Sequence, residues 1–278
     1  MTRAALVLSG GGLLSVGWEL GVLRGLQDGG VAIGRFDLVI GTSAGAVSGA
    51  IAISGAPLEP VAPVAERDRQ LAVMVQQVNP DVMGPVFAAL MSGGEPDQAR
   101  RAQLGAIARQ TQIPEDLAVE IMRQYLPDIP WPQPLVITAV DVEDGAFVAW
   151  GADAGVPLVR AAAASSAIPG IFPPITIAGR RYMDGAIRSP TSADLAAATD
   201  VVVIVAAPSR SEQSDRQIAA ETAEVRAAGG VIVEIRPDAG SGAAFGPNSM
   251  DGSRQPLVFA AGLRQGLAAA SDVAARIG

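Results

Sequence analysis

Gly41-Thr42-Ser43-Ala44-Gly45 is the only G-x-S-x-G segment in the chain. It follows the apolar run Phe36-Asp37-Leu38-Val39-Ile40 and opens a small, apolar, helix-prone stretch from Ala44 to about Ser54. A serine on so tight a strand-to-helix turn projects from the carboxyl edge of a sheet at a helix N-terminus, where developing negative charge is favoured. Its neighbours must be small, because large side chains would clash in the strained turn. The chemistry implied is nucleophilic attack by Ser43, against the alternative of a plain βα turn. Ser9-Gly10-Gly11-Gly12 follows an earlier apolar run, Ala4–Leu8. Three glycines leave backbone N–H groups unobstructed, so this loop can offer donors to a tetrahedral oxyanion. A dinucleotide-phosphate loop is the rival reading. It fits less well, because Gly10 to Ser15 reads Gly-Gly-Gly-Leu-Leu-Ser without the third fingerprint glycine, and no acidic residue closes the next strand.

Composition decides which base such a serine could use. The chain has 278 residues, a net charge of −8, 28 acidic residues and no histidine or cysteine, and all 20 basic residues are arginine. A Ser-His-Asp triad, a cysteine thiolate, a lysine Schiff base and a P-loop lysine are therefore excluded. The usual zinc sites are excluded as well, and neither a cofactor nor a metal is expected. The proton acceptor must be a carboxylate, Tyr125, Tyr182 or water. Asp-Gly occurs at Asp28, Asp144, Asp184 and Asp251. Asp28 ends a helix, Asp144 sits in a hairpin turn and Asp251 lies in a polar loop, so each has a structural explanation. Asp184 follows a strand and leads into Arg188-Ser189-Pro190 and a helix, which makes it the candidate base.

The acidic balance argues against nucleic acid and against electrostatic docking on an anionic membrane. Met1-Thr2-Arg3 runs directly into a short strand, so no signal peptide is expected, and the apolar stretches are too short or interrupted to span a bilayer. A soluble, cytoplasmic protein is the expectation.

These residues need a scaffold, and the chain supplies alternating strand-like and helix-like segments at both ends. That pattern predicts an α/β fold with three α/β/α layers and a mostly parallel central sheet. Beyond the segments already named, helices are expected over about Val16–Gln27, Val156–Ser166, 191–199, 212–228 and Leu257–Arg276. Strands are expected at Leu135–Val140, Ile175–Ile177, Arg181–Met183, Val201–Ala206 and Val231–Ile235. The last two read as apolar on both faces, as in a central parallel sheet. Val142–Val148 reads as a hairpin around Asp144-Gly145, and Asp238–Gly252 as a loop. From 57 to about 130 only helical periods recur (about Leu58–Val78, Asp81–Met91, Gln98–Thr111 and Pro114–Tyr125), which predicts a helical insertion within one domain spanning 1–278. Met74, Met83, Met91 and Met122 fall there, either as a lid over an acyl channel or as ordinary helical core. Arg67, Arg69, Arg100 and Arg101 are read as solvated surface charge, with a lipid phosphate as the alternative contact.

The glycine loop, G-x-S-x-G and Asp184-Gly185-Ala186 occur in the order found in the patatin-like phospholipases (acylhydrolases), and nearly the whole chain resembles that family. The stretch from Ala161 through Ser165-Ser166-Ala167-Ile168-Pro169-Gly170 to Pro174, leading to Tyr182-Met183-Asp184, looks like it as well. The resemblance implies a patatin-like fold and a lipid acyl hydrolase using a Ser-Asp dyad through an acyl-enzyme. It makes Ser43 the nucleophile, Asp184 its base, and the N–H groups of Gly10, Gly11 and Gly12 the oxyanion hole, to which we add that of Ala44. The expected partner is a lipid or other acyl ester, with transient membrane or micelle contact. Leu13, Leu14 and Ser15 stand where many members carry a basic residue, which weighs against strict phospholipid preference. A catalytically silent lipid-binding or regulatory module and an acyltransferase are the alternatives on the same fold.

Overall fold

A computed structural model describes residues 2–76, 97–126, 128–208 and 212–278. Its centre is a mostly parallel sheet formed by β1 (Ala4–Leu8), β2 (Leu38–Gly41), β3 (Leu135–Asp141), β4 (Phe147–Trp150), β5 (Ile175–Ile177), β6 (Arg180–Asp184), β7 (Val201–Val205) and β8 (Val231–Ile235). The strand order is β5-β6-β3-β2-β1-β7-β8, with β4 also on β3. Strands β3, β2, β1, β7 and β8 run parallel, and β4, β6 and β5 add antiparallel pairings.

The alternation of side chains along each strand builds two cores, because successive residues of a strand face opposite sides of the sheet. Leu6, Leu8, Val203 and Val205 face helices α1 (Leu13–Asp28), α2 (Ala44–Ile53) and α6 (Leu158–Ser165). Ala5, Val7, Val202 and Ile204 face Val225 of α7 (Glu212–Ala227) and the 3₁₀ turn Ala193–Ala196. The result is a three-layer α/β/α sandwich. Helix α1 is held by α9 (Gln255–Ile277) at unusually close range. Cβ atoms on Gly21 and Gly262 would fall against the backbone carbonyls of Phe259 and Trp18, so the two helices touch through backbone.

Among the described residues of 57–130 there are three helices and no strand: α3 (Ala65–Gln76), α4 (Gln98–Ala108) and α5 (Glu115–Arg123). Met74 of α3 packs with Ile113 and with Ile121 of α5, while α4 lies on Val140, Val142 and Met183. The expected helix over Asp81–Met91, with Met83 and Met91, lies outside the described residues.

Three local expectations are corrected. The helix expected over 191–199 is only the 3₁₀ turn Ala193–Ala196, because Ser192 adopts left-handed backbone (φ 53°) and the buried Glu221 carboxylate takes the N–H of Ala193 and the hydroxyl of Thr191. The loop expected over 238–252 contains helix α8 (Ala239–Phe245), capped by the Asp238 carboxylate and anchored where Phe245 meets the Trp18 ring. Strand β8 is an edge strand whose Val231 and Glu234 are exposed, rather than a strand buried on both faces.

Candidate functional site

Strand β3 aligns the two catalytic candidates. One edge pairs with β4, so the other must be shared: β2 occupies its first half, with Gly41 opposite Ile137, and β6 its second, with Asp184 opposite Ala139. The chain leaving β2 turns at Ser43 just where β6 ends at Asp184. Ser43 Oγ donates to Asp184 Oδ2 at 2.9 Å.

The turn carrying Ser43 is strained as the sequence predicts, with φ 54° and ψ −113°. A non-glycine residue held there needs surrounding structure to fix it. Here the Ser43 N–H donates to Ser165 Oγ at 2.8 Å, and Thr42 Oγ1 bonds Thr138 Oγ1 at 2.8 Å. Gly41 and Gly45 flank the turn because a Cβ on either would strike backbone, Gly45 carbonyl oxygen in the first case and the Leu8 carbonyl in the second. Gly185 is required by a third close approach, since its Cβ would lie 2.7 Å from the Thr138 carbonyl oxygen.

Asp184 is 2% exposed and its second oxygen accepts the Ala186 N–H at 2.8 Å. Burial pushes its carboxyl up from 3.8 to about 7, against the smaller pulls of the Ala186 N–H and the Ser43 hydroxyl. A carboxylate so placed is a far better proton acceptor at neutral pH than an ordinary aspartate.

Of the four expected oxyanion donors, three have no acceptor among the described residues: the N–H groups of Gly11, Gly12 and Ala44. Gly10 departs from expectation, because its N–H donates to the Pro190 carbonyl at 2.9 Å, tying the glycine loop to the segment after Asp184. Gly12 has φ 88°, a conformation suited to glycine, and immediately precedes α1. Ala44 is the first residue of α2. Two helix N-termini, with their partial positive charge, therefore converge beside Ser43.

A cleft opens in front of the serine. Its walls are almost wholly apolar, lined by Val16, Val47, Met74, Ile121, Met122 and Phe172. Met74 and Met122 thus belong to the helical core and to the cleft at once. Of the arginines read as solvated surface charge, Arg67 is instead buried, lying over the Tyr125 ring and bonding the Ala62 carbonyl, whereas Arg69 pairs with Glu66 at the surface and Arg101 donates to the Gly145 carbonyl. Arg100 is not among the described residues that line the cleft. Among the described residues there is no cluster of carboxylates arranged to hold a metal, and no helix is long and apolar enough to cross a membrane.

Ser165 and Pro190 were not legible as site residues. The only signal for Ser165 was a serine pair ending an alanine run, where a buried hydroxyl must find a partner. Ser165→Ala leaves the Ser43 N–H unpaired, and we expect it to cost about 1–3 kcal/mol of stability and to lower kcat, as read by urea unfolding and ester turnover.

A strained serine at a strand-to-helix turn, hydrogen-bonded to a buried aspartate, has the geometry of the nucleophile elbow found on α/β sheets. The family model for Patatin-like phospholipase matches residues 6–197, and the chain belongs to that family. Among solved structures, that of the type III effector protein ExoU is similar over 98% of this chain and 53% of its own, with 20% identity and a TM-score of 0.43. The chain thus spans about half the length of ExoU. No curated protein matched it.

Proposed function

We propose that the protein is a serine acyl-ester hydrolase of lipid-like substrates, working through a Ser43–Asp184 dyad and an acyl-enzyme. The observation that carries this reading is the 2.9 Å hydrogen bond from a strained serine to a buried aspartate raised to about 7. Asp184 takes the Ser43 proton as Oγ attacks the ester carbonyl. The resulting oxyanion is met by the N–H groups of Gly11, Gly12 and Ala44, the alcohol leaves with the proton, and water activated by the same carboxylate releases the acid. The apolar cleft takes the acyl chain, with α3 and α5 serving as its cap. Membership in the patatin-like phospholipase family supports a lipid acyl substrate.

Acid release from p-nitrophenyl esters, neutral acylglycerols and phospholipid vesicles, compared between wild type and Ser43→Ala, tests the reading. Turnover of acyl esters lost in Ser43→Ala supports it. Folded wild type that binds lipid without releasing acid would favour a silent binding module.

A further inference from the structure

Glu19 is a buried titratable side chain that takes no part in this chemistry. Glu19 lies on α1, is fully buried, and meets hydroxyl groups rather than cations. Its Oε2 lies 2.5 Å from Ser48 Oγ on α2, and Ser48 Oγ lies 3.3 Å from the carbonyl of Ala44. Glu19 Oε1 has no well-formed hydrogen bond, although Ser9 of the glycine loop is close enough to act on the carboxyl. Burial raises this carboxyl well above the ordinary carboxylate range, against the smaller pulls of Ser48 and Ser9. The neutral acid can donate to Ser48 Oγ, which leaves the Ser48 proton for the Ala44 carbonyl.

The placement of the pair is what matters. Ser48 is one helical turn beyond Ala44, and Glu19 is about two turns beyond Gly12, each on the same helix face as the residue at its own N-terminus. These two N-termini present the two halves of the donor set around Ser43. A purely apolar contact would fill the space between α1 and α2 without the cost of burying a carboxyl. The acid adds a direction and a fixed length that apolar packing lacks.

We propose that Glu19 is a positioning residue, forming with Ser48 a buried strut between α1 and α2 that sets the spacing of the Gly11 and Gly12 N–H groups relative to that of Ala44. The inference rests on reading these groups as the oxyanion hole. Its effect belongs in the tetrahedral intermediate, where sub-ångström donor placement matters, and not in binding of the ester.

The test measures kcat and KM on a p-nitrophenyl ester, affinity for a trifluoromethyl ketone bearing the same acyl group, and thermal unfolding. The proteins are wild type, Ser43→Ala, Glu19→Gln, Glu19→Met, Ser48→Ala and the Glu19→Met/Ser48→Ala pair. Glu19→Met and Ser48→Ala are expected to lower kcat about 10- to 100-fold with KM nearly unchanged, and to weaken the ketone, which mimics the tetrahedral adduct, in parallel. The double variant should be no worse than the worse single one, and Glu19→Gln, a neutral donor of the same shape, should retain most of the activity. Should Glu19→Met fail to fold, Ser48→Ala, which removes only a hydroxyl within a helix, decides the matter. Folded Ser48→Ala with wild-type kcat and ketone affinity overturns the strut, as does a Glu19→Gln loss equal to that of Glu19→Met. Turnover that survives in Ser43→Ala, or is absent from wild type, instead overturns the hydrolase reading on which the strut rests.

Discussion

Asp184→Asn is expected to lower kcat by about 10³- to 10⁴-fold with KM close to wild type, because it removes the proton acceptor and leaves the apolar cleft intact. The amide can still accept the Ala186 N–H through its oxygen, but it then turns an NH₂ donor toward Ser43 Oγ. The carboxylate is the active form, so wild-type kcat/KM should rise with pH through about 7 and fall away in acid. Stability should run the other way. The folded-state value lies above the 3.8 of an ordinary aspartate, so the stability this group contributes is fully present below about 3.8 and is lost as pH rises through about 7. At pH 8 the wild type holds a buried carboxylate with no cationic partner among the described residues, and Asp184→Asn should melt at a higher temperature than wild type. The difference should vanish near pH 4. A profile with no limb near 7, or an Asn variant less stable than wild type at pH 8, would count against this role for Asp184.

Gly45→Ala is expected to be strongly destabilising. Its Cβ falls against the Leu8 carbonyl, which belongs to a strand paired on both sides, by β2 and by β7. Neither neighbour can move without shearing the sheet. The Gly45 N–H also holds the Ser9 carbonyl at 3.0 Å, which links α2 to the glycine loop. Overpacking against backbone is expected to cost about 2–4 kcal/mol, read as a lower urea midpoint at unchanged m, with kcat falling because Ser43 lies two residues away. Gly49→Ala, one turn further along α2, supplies the contrast. Its Cβ would meet only the methyl ends of Leu135 and Leu8, at 3.1 and 3.3 Å, and these can shift. The Gly49 variant should stay near wild-type stability, and equal losses at both positions would contradict the packing argument.

Local pattern carried much of the architecture. Apolar runs named β1, β2 and β7, and G-x-S-x-G at a strand-to-helix junction located the strained turn at Ser43, because that signal is contained in a dozen adjacent residues. The elimination that left Asp184 also worked from local turn chemistry. Other features depend on contacts between distant segments. Nothing near Gly10 indicates that its N–H is taken by Pro190, and nothing near β3 shows that β2 and β6 share one of its edges. Helix α8 lies in a stretch, Asp238–Gly252, whose Gly, Ser, Asn and Pro content reads as loop; its stability comes from the Asp238 cap and from Phe245 packing on Trp18. The Glu19–Ser48 pair likewise depends on contact between distant segments, since nothing near Glu19 in the sequence shows that it meets Ser48 of α2.

Covalent trapping tests directly whether Ser43 is the nucleophile. Wild type treated with a fluorophosphonate and digested for mass spectrometry should carry the phosphonyl group on the peptide containing Ser43. The adduct should be absent from folded Ser43→Ala and should form far more slowly in Asp184→Asn. Folded wild type that takes no label, or a label on another serine with acid release preserved in Ser43→Ala, would contradict the account.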